Sequence, residues 1–126
     1  LPFTDNTFDL TMITLALHAM NQSTRDKVLE EMQRVTKKEG KLIITDHILG
    51  HRGLSGMFYK LTIPLIERIV GEDHYNNFKE FMDTGGLDAL LQRHHLQGEK
   101  REEVLGGNLG IIGITNNLRR KEYEML

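Results

Sequence analysis

The stretch from Phe8 to Asp46 constrains the fold most, because its hydrophobic period changes twice. Phe8, Leu10 and Met12 alternate, and then Leu15, Ala16 and Leu17 run on without a polar break. That pattern predicts a strand over Phe8–Leu17 buried on both faces, as in parallel sheets. Ser23, with Asp26 three residues on, is a helix-start pattern. Val28, Leu29, Met32 and Val35 then share one helical face. Lys37 and Lys38 suit the negative end of that helix, and Gly40 is expected to stop it. Lys41–Asp46 reads as a second apolar strand. Strand, helix, strand is a crossover unit, and such units are right-handed with parallel strands.

The texture changes after Asp46. A loop carries Gly50, Gly53 and Gly56, and Leu54, Met57, Phe58, Leu61 and Leu65 then keep helical spacing, with a kink expected at Pro64. Tyr75, Phe78, Phe81 and Met82 form another apolar face, and Leu87, Leu90 and Leu91 a further short helix ending near His95. A charged strand over Gly98–Leu105, a Gly106-Gly107-Asn108 turn and an apolar strand over Leu109–Thr115 predict an antiparallel hairpin. The expected class is α/β, one domain over residues 1–126 with a mixed sheet of about four strands. The Leu109–Thr115 strand is expected beside Lys41–Asp46, and Gly98–Leu105 outermost.

Composition narrows the function classes. The 126 residues carry 16 basic and 18 acidic side chains interspersed along the chain, for a net charge of −2. Nothing there asks for a nucleic-acid or membrane partner. Cysteine is absent, which removes thiol nucleophiles, disulfides and thiolate metal sites from these residues and makes a reducing cytoplasm the expected location.

Taken in order, the motifs resemble those of class I S-adenosylmethionine-dependent methyltransferases, and most closely the ubiquinone and menaquinone C-methyltransferase group. The pieces are Leu1-Pro2-Phe3, Phe8-Asp9, Leu17-His18, Glu31-Met32-Gln33-Arg34-Val35, Gly40 and Asp46, followed by GGLDALLQRHHL and GGNLGIIGIT. The resemblance implies the C-terminal half of a Rossmann-like fold, with residues 48–86 as a helical cover that varies with substrate. In that family LPF follows three strands that carry the glycine-rich cofactor loop and the ribose-binding acid. No such loop occurs in these residues. Tight binding of S-adenosylmethionine by this stretch alone is therefore not expected. The chain is expected to act in methyl transfer to a small-molecule acceptor when completed. Alternatively it is a non-catalytic module that mediates association.

Ligands of open α/β sheets bind beyond the carboxyl ends of the strands. By resemblance, Leu1 and Phe3 would lie near adenine, and Leu17 and His18 near the methionine part or the methyl group. Asp46, His47 and Tyr59 are substrate candidates. His18 reads either as a cofactor or substrate contact or as a loop histidine with local hydrogen bonds. Asp46 reads as a substrate ligand, as a cap, or as the partner of a lysine. The His47/His51 and His94/His95 pairs lack converging ligands in sequence, so no metal site is expected. The first strand would be left with an unpaired edge, which predicts self-association, most simply as a homodimer.

Overall fold

The computed structural model describes residues 1–49, 61–62, 64–66 and 68–117. Strand β1 (Phe8–Thr14) leads through a 3-10 turn (Leu17–Ala19) into helix α1 (Gln22–Val35), and β2 (Thr36–His47) follows without a loop. Helices α2 (Glu72–Asp83) and α3 (Gly86–Arg93) precede a hairpin of β3 (Lys100–Val104) and β4 (Leu109–Thr115). The described residues between 61 and 70 are also helical. The sheet order is β1-β2-β4-β3. β1 runs parallel to β2, and both other pairings are antiparallel. The crossover, the mixed sheet and the outermost hairpin strand all match the expectation from sequence.

Three boundaries differ. β1 ends at Thr14 rather than Leu17, because Leu15 turns the chain at φ 52° while its N–H still donates to Thr45 O at 2.8 Å. The N-cap of α1 is Asn21, whose Oδ1 accepts from the Thr24 N–H at 2.9 Å, so Ser23 lies inside the first turn. The helix stops at Thr36, not Gly40. Thr36 is extended, and both its N–H and its Oγ1 donate to Met32 O, the hydroxyl at 2.6 Å, so the last helical bond is doubled as the chain leaves the helix. Gly40 instead sits inside β2, after Glu39 at φ 66°. The β1–β2 register jumps here, from Phe8↔Thr36 to Leu10↔Lys41. A Cβ at Gly40 would stand 2.8 Å from Lys37 O and 3.0 Å from Asp9 O.

Strand alternation sorts the sheet into two unlike faces. Leu42 and Ile44 of β2 and Ile112 and Ile114 of β4 face the three helices, and pack with Leu29, Met32, Phe81, Leu87, Leu90 and Leu91. Each such fully buried aliphatic side chain contributes about 1.5–3 kcal/mol. On the other face Met12, Ile43 and Gly113 are cross-strand neighbours. No described helix covers them. Leu10 and Met12 are 49% and 62% exposed, which corrects the expectation that the first strand is buried on both faces.

Two expected outcomes follow from this packing. Gly40→Ala should lower stability by about 1–3 kcal/mol, read as a lower denaturation midpoint, because two of its three nearest neighbours are backbone oxygens that cannot yield. The second concerns Asp26 of α1, whose Oδ1 accepts from Arg93 and lies against His94 Nε2, each at 2.7 Å. Burial alone would raise its pKa, but the Arg93 and His94 hydrogen bonds and charges outweigh it and hold the carboxyl below its usual 3.8. A depressed carboxylate stabilises above its unfolded pKa and loses that contribution as pH falls through the folded value. Melting curves of the native chain and of Asp26→Asn should therefore differ at pH 6, by the modest amount of a partly exposed pair, and converge as pH falls through the lowered folded value.

Candidate functional site

The carboxyl ends of β1 and β2 bring His18, Asp46 and His47 together, all three buried. Asp46 has no exposed surface, so its carboxylate must be satisfied internally. Oδ1 lies 2.8 Å from His18 Nδ1 and accepts the His47 N–H at 2.8 Å, and Oδ2 accepts the His18 N–H at 3.3 Å. A carboxylate opposite Nδ1 assigns the ring proton to that nitrogen and leaves the lone pair on Nε2. The partner of Asp46 is thus a histidine, not the lysine weighed in the sequence reading.

Arg25 of α1 fixes the turn that carries His18. It is 2% exposed, and its guanidinium donates to Leu17 O at 2.7 Å, to His18 O at 3.5 Å and to Asn77 O at 2.7 Å. It also pairs with Glu80 and lies 4.8 Å from the Phe81 ring centroid. Asn77 in turn donates to Ala19 O at 2.9 Å. Helix α2, within the segment read as a substrate cover, is thereby locked to the turn below it.

The His47 ring stands edge-on to His18 and Phe78, with centroids 4.7 and 5.0 Å away. Burial, and secondarily the neighbouring His18, push its pKa down to about 4 against the pull of Asp46, so it is a neutral imidazole at physiological pH. It lines a cleft of about 410 Å³ together with Ile48, Tyr75, Phe78, Met82 and Asn108. Apolar walls with a few polar groups are the usual build of a small-molecule site.

The other sequence candidates lie elsewhere. The Leu17 side chain is wholly buried in the core, and its carbonyl serves Arg25. Leu1 and Phe3 sit at the opposite end of β1. Arg34 donates to both their carbonyls, at 3.1 and 2.8 Å, and the Phe3 ring packs on Phe8 at 4.9 Å. That places them about one strand length, ~20 Å, from His18. Tyr59 and His51 lie outside the described residues. Of the paired histidines, His94 is engaged by Asp26.

The sequence reading missed Arg25, although Arg25, Leu29 and Met32 share one helical face, and a charge on an apolar stripe is a signal. Of a nucleotide-type cofactor site, the described residues fit one wall: Leu15, 44% exposed at the carboxyl end of β1, and the turn carrying His18. They include no glycine-rich strand-to-helix loop.

Residues 1–44 match the family model described as a methyltransferase domain. The demethylmenaquinone methyltransferase of Bacillus cereus (strain B4264) is 30% identical, over 90% of this chain and 50% of the relative. The enzyme of that name from Geobacillus sp. (strain WCH70) is 29% identical, over 90% of this chain and 51% of the relative. The chain thus spans about half the length of the curated relatives it matches. The PH0226 protein of Pyrococcus horikoshii OT3 shares the fold, with a TM-score of 0.56 at 17% identity over 91% of this chain and 54% of that one. By its ordered motifs, its family match and its relatives, the chain is similar, over part of their length, to the class I S-adenosylmethionine-dependent methyltransferases.

Proposed function

We propose that the chain takes part in S-adenosylmethionine-dependent methyl transfer to a small, partly apolar acceptor held in the cleft over His47, with His18 accepting a proton. The observation that carries this reading is the buried His18–Asp46 pair packed against His47, which lines an apolar cleft, at the strand ends where such folds bind ligands. The sulfonium of the cofactor, when bound, supplies an activated methyl group, so the protein has little covalent chemistry to do.

The residues of this chain orient, exclude water and move a proton. Asp46 keeps the His18 proton on Nδ1 and stabilises the imidazolium that forms when Nε2 takes the acceptor's proton. His47, neutral, offers its ring to an acceptor oxygen. Phe78, Met82 and Ile48 exclude water from that contact. Leu15 and the His18 turn form one wall toward the cofactor. An acceptor of the kind named for the Bacillus relatives is the first to test, and the absence of thiols is compatible with work in a reducing cytoplasm.

We also propose that the chain self-associates as a homodimer through β1. Among the described residues, no strand pairs with its outer edge, and Leu10, Met12 and Leu15 are exposed beside it. Antiparallel pairing of two β1 strands about a two-fold axis would satisfy both edges at once.

Two measurements test these readings. With a chain that supplies the glycine-rich cofactor loop added, transfer of labelled methyl to a demethylated quinol should fall about 10²–10⁴-fold in His18→Gln and in Asp46→Asn. An unchanged rate in His18→Gln would remove the base assignment, and no methyl transfer to any small acceptor would remove the function. Sedimentation at micromolar concentration should show a dimer that Met12→Lys dissociates, and a monomeric native chain would contradict the proposed interface.

A further inference from the structure

His18, Asp46 and His47 each offer one ligand atom, and these atoms lie within 4.8 Å of one another. Two imidazoles and a carboxylate are the donor chemistry of zinc and of neighbouring first-row divalent ions. The set is already compact. His18 Nδ1 and Asp46 Oδ1 stand 2.8 Å apart, and would open to about 3.4 Å as adjacent tetrahedral ligands of an ion about 2.1 Å from each. The longest separation would need to close by about 1.4 Å to reach that tetrahedral spacing. The ligands are also held by their backbone surroundings. Arg25 anchors the His18 turn, the His47 main-chain N–H fixes Asp46, and the fully buried neighbours Leu17 and Ile48 belong to the core.

We propose that His18 Nδ1, Asp46 and His47 form a three-ligand site for a zinc-type divalent cation, with the remaining coordination position open to the cleft that His47 lines. Structural zinc sites are closed by four protein ligands, whereas three with one open position leave room for a water or another small ligand. Magnesium and calcium are disfavoured, because two of the three donors are nitrogens.

The site has a consequence for the proton chemistry. An ion on Nδ1 displaces the proton there, and the ring's remaining N–H is then on Nε2. The lone pair that accepts a proton in the methyl-transfer reading is lost, so bound metal and an active His18 exclude each other. This consequence rests on that reading. The binding itself does not.

Calorimetric titration of the metal-free protein with zinc chloride tests the binding directly. One equivalent should bind at micromolar or tighter affinity, at least 10-fold more weakly in His47→Gln, and unchanged in His94→Gln. Long-range ¹H–¹⁵N spectra of the native chain give a second readout that needs no variant. The His18 Nδ1 resonance and one His47 nitrogen should shift on zinc addition. Absence of binding, or binding of equal strength in His47→Gln with those nitrogens unmoved, overturns the site. A protein that transfers methyl groups but takes up no zinc would refute the metal site and leave the methyl-transfer reading standing. Zinc uptake without methyl transfer would do the reverse.

Discussion

A carboxylate with no exposed surface must find its hydrogen bonds inside the protein, and Asp46 finds them on the turn after β1 and on its own chain neighbour. An unpaired buried charge would cost several kcal/mol. The β1–β2 pairing and the position of His18 are therefore linked. If the turn moved, Asp46 would lose a ring contact and a backbone donor together. The arrangement asks for β1 and β2 to be parallel neighbours, because only then do their carboxyl ends meet. The crossover through α1 enforces this.

Arg25 adds a second constraint from the opposite side. Its guanidinium gathers carbonyls from the turn and from α2, so a helix far along the chain is tied to the loop that bears His18. The same charge lies over Phe81, which belongs to the core. Cover and site are thus one rigid unit at this point. Any acceptor entering the cleft over His47 meets Phe78 and Met82 on a helix that cannot shift without breaking the Arg25 contacts.

How much of this was legible in the sequence depended on whether the deciding interaction was local. The crossover, the terminal hairpin and the strand order could be read from periodicity and from the Gly106-Gly107-Asn108 turn, because these are local or follow chirality rules. The C-terminal end of α1 was misplaced because tertiary contacts decided it, whereas the N-cap was misread although Asn21 and Thr24 lie only three residues apart. Thr36 leaves the helix while bonding Met32 O and standing 2.8 Å from Thr11 Oγ1 across the strand pair, and no sequence window contains both partners. Gly40 looked like a helix stop because glycine serves both purposes. Its true role, the close approach of Asp9 O, appears only once β1 lies beside β2. His18 and Asp46 were each singled out, but their bond was not, since they are 28 residues apart and the lysine alternative was chemically equal. Leu1 and Phe3 were assigned by motif position, and Arg34 holds them at the other end of the strand.

The two faces of the sheet place different demands on the molecule. Asp46 continues the alternation of Leu42 and Ile44, so it and the turn it holds extend the helix-covered core. The site is therefore assembled entirely from elements on one side: β2, the His18 turn, α1 and α2. Met12, Ile43 and Ile111 face the other way, where no described helix packs. Sheets with parallel strands generally need cover on both faces, and an apolar surface of this kind recruits whatever fits it. Whatever layer covers that second face can change the association state and the stability of the chain. It has no direct contact through which to disturb the hydrogen bonds of Asp46, because the full thickness of the sheet lies between them.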